Sequence, residues 1–150
     1  MATDGIVGMF AGRLINKFAK SRLSGRQMGH VVSGLVRDCG NEPILRSGIV
    51  FGNHYTQRLN SDLSDSAERR LAQSIQFVLP GAPLLYYGIE VGMLGGNDPG
   101  QRAPMDRRQV AASQPDMAWL QRLVDRMRSN RALRIGDTRA FASEKLFAVI

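Results

Sequence analysis

Apolar residues recur along the chain at helical spacing in several segments, with two short apolar runs between them. The segments with helical spacing are 6–20, 24–40, 65–79 and 115–127. The runs at 44–51 and 83–87 are continuous in their apolar part, which is typical of strands buried on both faces of a parallel sheet. The pattern therefore predicts the order helix, helix, strand, helix, strand, helix. Residues 141–150 indicate hairpin strands at the end.

Polar loops follow both predicted strands. One spans 52–64, and the other runs from about 88 to 114 with seven glycines or prolines. Loops of that length without regular structure are usually functional or disordered. A helix, a tight turn, a buried strand and then a polar loop is the order found at the active-site face of a βα-barrel, where the loops after the strands supply the chemistry. The candidate chemistry of this chain is therefore expected in these two loops.

Residues 77–98, FVLPGAPLLYYGIEVGMLGGND, resemble the eighth-strand region of the α-amylase family, glycoside hydrolase family 13. The usual text there is LPGTPLIYYGDEIGM, followed by GG, a DP pair and an arginine. A second segment, VFGNHYTQR at 50–58, is similar to the family's FxxNHD motif with its following arginine. In both segments, the polar part stands directly after a predicted strand.

The resemblance extends over residues 6–150 and implies an α/β fold, namely a partial TIM-type (β/α) barrel made of the last two βα units with a short β-rich tail. It implies that residues 1–134 are a segment of the catalytic barrel. Residues 135–150 would then begin the C-terminal β domain.

The resemblance also assigns roles to residues of the two loops. Asn53 and His54 match the family motif, and Tyr55 stands where the family has an aspartate; these three are the expected substrate-binding residues. Residues expected to support the loops are Arg58, Glu90, Asp98 and Arg102. The aspartate that precedes the position of Glu90 in the family is Ile89 here.

No catalytic residue is assigned in this chain. Retaining glycosidases need one carboxylate as nucleophile and one carboxylic acid as proton donor. The family carries them on its fourth and fifth strands, and no GFRxD-like motif occurs in these 150 residues. Tyr55 is no substitute for the motif's aspartate, because a phenol with a pKa near 10 is neutral at pH 7. We expect the chain alone to be inactive.

The composition of the chain excludes few classes of ligand or partner. The net charge of +7 permits an anionic partner, but the arginines are scattered and no nucleic-acid-binding motif is present, so nucleic acid is not the expected ligand. Cys39 is the single cysteine, which excludes an internal disulfide. No membrane segment, signal peptide, metal or cofactor is indicated, and a cytoplasmic location is expected.

Two interpretations follow. In the first, the chain is a partial or degenerate member of the α-amylase family, with an α-glucan or α-glucoside as its ligand. In the second, it is a non-catalytic sugar-binding or assembly partner that completes a barrel with another chain or a second copy, because two neighbouring parallel strands leave open edges and a half-covered apolar face.

Overall fold

The computed structural model describes residues 23–149, in which helices surround a short parallel sheet. The helices are α1 (Gly25–Cys39), α2 (Asn41–Leu45), α3 (Leu59–Asp62), α4 (Ser66–Val78), α5 (Arg107–Ala112), α6 (Gln114–Ser129) and α7 (Ala132–Ile135), with a 3₁₀ turn at Gly100–Arg102. The strands are β1 (Gly48–Val50), β2 (Ala82–Leu84), β3 (Ala140–Ala142) and β4 (Phe147–Val149). The helix predicted at 6–20 lies outside the described residues.

Two of the long helices, α1 and α4, begin at side-chain caps. The Ser24 hydroxyl accepts a hydrogen bond from the backbone N–H of Gln27, and the Gln27 side chain accepts one from the N–H of Ser24, which together form a capping box at α1. The Asp65 carboxylate accepts from two backbone N–H groups at the start of α4. The three predicted helices that fall within the described residues are confirmed as α1, α4 and α6.

The strand predicted over 44–51 is wrong at its beginning. Ile44 and Leu45 belong to α2, and only Gly48–Val50 is extended. Pro43 lies in the first turn of α2, where its missing N–H costs no hydrogen bond, so it does not prevent the helix. Ile44 is buried, and an apolar run this short does not distinguish a buried helical turn from a strand.

The loops after the strands contain more regular structure than the sequence indicates. The segment 52–64 includes α3, and the segment 88–114 includes the 3₁₀ turn and α5. Helix α5 begins after Asp106, whose carboxylate accepts from the N–H of Arg108. Strand β2 ends at Leu84. Residues 85–87 of the predicted strand therefore belong to the loop that follows it.

Strands β1 and β2 are parallel and are joined through α4, which makes one strand–helix–strand unit. The register pairs Gly48 with Ala82 and Val50 with Leu84. Gln76 of α4 is fully buried and its Nε2 donates to the carbonyls of Ile49 (2.7 Å) and Leu84 (3.0 Å). One amide group therefore links the crossover helix to both strands. The described residues contain no closed barrel, and the assignment of this unit to a partial (β/α) barrel stays a prediction.

One apolar core lies between the sheet and the helices. It contains Met28, Val32, Ile49, Phe51, Leu59, Leu63, Ala72, Ile75, Phe77, Leu79, Ile89 and Leu120. Strands β3 and β4 form the antiparallel hairpin that the sequence predicts, and Ala140 and Phe147 of that hairpin pack on the same core. The division between residues 1–134 and 135–150 stays a prediction. Within the described residues, the helices are too short or too polar to cross a bilayer.

Two glycines of α1 allow the hairpin to approach the helix closely. A Cβ atom at Gly25 would collide with the carbonyl oxygen of Leu146, and one at Gly29 would lie 2.5 Å from Cβ of Ala142. Gly25 also donates its N–H to the carbonyl of Glu144 (2.9 Å). The four-residue spacing of the two glycines places them on the same face of α1.

Substituting Gly29→Ala should destabilise the chain by roughly 1–3 kcal/mol, because the added methyl group forces the hairpin away from α1. Gly34→Ala is the matched control in the same helix. The nearest atom to its new Cβ is Arg37 Nη2 at 3.9 Å, so it should instead stabilise by up to about 1 kcal/mol through helix propensity. Urea unfolding followed by circular dichroism measures both. Changes in the free energy of unfolding that have the same sign and size in the two variants would contradict this packing.

Candidate functional site

The two loops at the carboxyl ends of β1 and β2 lie against each other. We call residues 52–58 the first loop and residues 85–102 the second loop. The N–H of Arg58 donates to the carbonyl of Gly95 (2.9 Å), and the N–H of Gly95 donates to the hydroxyl of Ser61 (2.7 Å). At the other end of the contact, Gln101 Nε2 donates to the carbonyl of His54 (2.9 Å). The loops therefore form one polar surface.

Arg58 lies beneath this surface and is 3% exposed. Its Nη1 donates to the carbonyl of Tyr87, and its guanidinium carbon lies 4.8 Å from the ring centroid of Tyr86 and 4.5 Å from that of Tyr87. These distances are in the range of cation–π attraction. Arg58 of the first loop is thus held by two consecutive residues of the second loop, a contact that fits the loop-supporting role expected for it.

Asn53 shapes the first loop through its own side chain. Its Oδ1 accepts from the N–H of Tyr55 (2.8 Å), and its N–H donates to the hydroxyl of Thr56 (3.0 Å). An asparagine that accepts from the backbone two residues on forms an Asx turn. The Asn53 carboxamide oxygen is therefore engaged in a hydrogen bond within the loop. The turn places His54 and Tyr55 at the tip of the loop.

His54 and Tyr55 together present an exposed aromatic surface. Their ring centroids are 3.9 Å apart with an angle of 46° between the rings, and Tyr55 is 73% exposed. The guanidinium carbon of Arg102 lies 5.9 Å from the Tyr55 ring centroid. The family aspartate would supply negative charge at position 55, whereas this chain supplies a polarisable ring and a hydroxyl.

Asp98 and Arg102 form an exposed ion pair in the second loop, with 3.3 Å between Arg102 Nη2 and Asp98 Oδ2. Arg102 Nε also donates to the carbonyl of His54 (3.1 Å), so the pair connects the two loops. Glu90 is half-buried and makes no ion pair with a described residue. Supporting roles for these three residues stay a prediction.

The chain has relatives among known proteins, each matched over part of its length. No family model matches the chain. The chain is 34% identical over 97 residues to a cyclomaltodextrinase of a Bacillus species, covering 64% of this chain and 17% of that protein. It is 28% identical over 123 residues to the intracellular maltogenic amylase of Bacillus subtilis strain 168, covering 81% of this chain and 20% of that protein.

Solved structures show the same relationship. The cyclic α-maltosyl-(1→6)-maltose hydrolase from Arthrobacter globiformis, in complex with maltose, superposes with a TM-score of 0.85 at 25% identity, covering 93% of this chain and 33% of that one. The chain belongs to the α-amylase family. It spans about a fifth of the length of the curated relatives it matches.

Several residues that hold the two loops together are not predicted from the sequence. Gln101 is 1% exposed and bonds the first loop from 47 residues away, and buried Asn60 donates to the carbonyl of Met93 (3.3 Å). Gly88 has a φ of +84°, and a Cβ there would lie 3.0 Å from Arg58 Nη1. The glycine directly after the Tyr86-Tyr87 pair was the available signal for this close approach.

Two ionisable groups of these loops have defined surroundings. Burial raises the pKa of Tyr86 above its usual range, and neighbouring Tyr87 raises it further, so the Tyr86 phenol is protonated at neutral pH. Asp98 is in its ion pair with Arg102. Among residues 23–149, no cluster of three or more His, Cys, Asp or Glu side chains could hold a metal ion.

Proposed function

We propose that the chain is the strand-end, sugar-contacting part of an α-glucan-acting protein of the α-amylase family, and that it does not hydrolyse glycosidic bonds by itself. The observation that carries the proposal is Tyr55, which is exposed at the position of the family's aspartate. The names of the relatives support an α-glucan or α-glucoside ligand, since they include a cyclomaltodextrinase and maltogenic amylases.

The substrate-binding residues in this proposal are Asn53, His54 and Tyr55. An exposed ring can cover the apolar face of a sugar, while a hydroxyl or imidazole exchanges hydrogen bonds with the sugar's hydroxyl groups. Asn53 acts indirectly, through the Asx turn that positions the other two. Each of these interactions binds a sugar in its ground state, and none supplies the charge that the cationic transition state needs.

The purified chain should show no turnover of maltotriose, pullulan or β-cyclodextrin above a heat-denatured control in a reducing-sugar assay. Tyr55→Asp should also show none, because the restored charge acts only alongside a nucleophile and an acid. Heat-sensitive turnover by the wild-type chain would contradict the proposal. Turnover gained in Tyr55→Asp would mean that the missing carboxylates are supplied by this chain.

A second candidate function is assembly with another chain or a second copy to complete a barrel. The specific observation is the exposure of β2 and the residue after it, where Leu84 is 52% and Leu85 40% exposed. Strands of a parallel sheet are normally covered on both faces, and an uncovered apolar strand favours association. We also place the chain in the cytoplasm, which is supported by the name of the intracellular maltogenic amylase.

If the exposed strand associates, static light scattering should give a mass above that of the monomer at micromolar concentration. The double substitution Leu84→Lys and Leu85→Lys should shift the chain to a monomer, since charges on an exposed strand oppose pairing. Leu146→Lys is the matched control, because Leu146 is 64% exposed but lies in the hairpin turn. A wild-type monomer across the concentration series would contradict the assembly proposal.

A further inference from the structure

An open groove with apolar walls lies between α4, α6 and strand β2. Its volume is about 230 Å³, and its apolar wall residues are Phe77, Pro83, Leu85, Val124 and Met127. Leu85 is 40% exposed, so part of this apolar surface is in contact with water. Removing apolar surface from water is favourable, and exposed apolar surface of this kind commonly marks a binding site. The groove therefore favours an occupant with apolar side chains.

Two exposed arginines border the same groove. Arg128 belongs to α6 and Arg134 to α7. Neither takes part in an ion pair within residues 23–149. A guanidinium binds a carboxylate through two parallel hydrogen bonds, and this geometry is selective for acids. The border of the groove is therefore positively charged and has no acidic partner in the part of the chain that the structure describes.

The charge of the chain opposes an occupant from this protein itself. A second copy carries the same net charge of +7. Residues 1–22 contain one acid, Asp4, against four basic residues: Arg13, Lys17, Lys20 and Arg22. Like charges that face each other across an interface oppose association. Nucleic acid would meet the two arginines but leave the apolar walls uncovered, so the groove fits a protein segment that is both apolar and acidic.

We propose that the groove is an interaction surface for a different protein. That protein inserts an apolar side chain between the walls and pairs flanking Asp or Glu residues with Arg128 and Arg134. In protein interfaces, an apolar anchor in a pocket supplies most of the affinity, while charges at its border supply selectivity and a faster encounter. Met127 in the wall is unbranched and can adapt to the shape of the anchor. The proposal requires neither sugar binding nor self-association, which the tests above measure separately.

The test selects binders of the wild-type chain from a phage-displayed library of random short peptides. Recovered peptides should share an apolar residue flanked by Asp or Glu. A synthetic peptide of the recovered sequence is then titrated with the chain by fluorescence polarisation. The double substitution Arg128→Glu and Arg134→Glu should weaken binding by about tenfold or more, because two attractive charge contacts become repulsive. Leu85→Ser should also weaken binding, because it removes apolar wall surface.

The matched control is Arg107→Glu with Arg139→Glu, which changes the net charge equally at exposed positions that do not border the groove. It should keep the wild-type affinity. Equal weakening in the two charge reversals would mean unspecific attraction and would overturn the proposal, as would a selection that recovers no peptide or only peptides without an apolar residue. Displacement of the peptide by an equally charged oligothymidylate would identify nucleic acid as the ligand instead. If Leu85→Ser fails to fold, the charge reversals, which change only exposed side chains, decide.

Discussion

The loops at the strand ends depend on one buried cation. Arg58 belongs to the first loop, but its guanidinium contacts Tyr86 and Tyr87 of the second loop. Removing a guanidinium from water is costly, so this geometry is stable only while the surrounding groups compensate the charge. Gly88 follows directly, at a positive φ and without room for a Cβ, which allows the backbone to turn over Arg58.

The positions of the exposed side chains depend on this buried arginine. With Arg58 holding the loops together, Gln101 and Arg102 reach the carbonyl of His54, and the Asx turn at Asn53 presents the His54 and Tyr55 rings. The exposed tip is aromatic, and the neighbouring Arg102 is paired with Asp98. An α-amylase-type framework thus carries a neutral phenol at the position of the family's aspartate, and the proposed function is accordingly sugar binding without bond cleavage.

Much of the fold is predictable because its signals are local. Ser24 and Asp65 cap helices within three residues of themselves, and the NHY and YYGIE segments identify the family by their order along the chain. The sequence pattern predicts a strand at Ile44 and Leu45, where the structure has a helix, because a short apolar run indicates burial without distinguishing helix from strand. The burial of Arg58 and Gln101 was not predictable, since their partners lie 29 and 47 residues away.

The most direct test of the account is amide hydrogen exchange in Arg58→Met, with Arg134→Met as the control. Loss of the buried cation should accelerate exchange at the amides of Met93 and Gly95, which bond to Gly88 and Ser61 within the loop assembly. Amides in the middle of helix Gln114–Ser129 should keep their protection. Unchanged exchange at Met93 and Gly95 in a folded Arg58→Met chain would show that the loops hold together without Arg58.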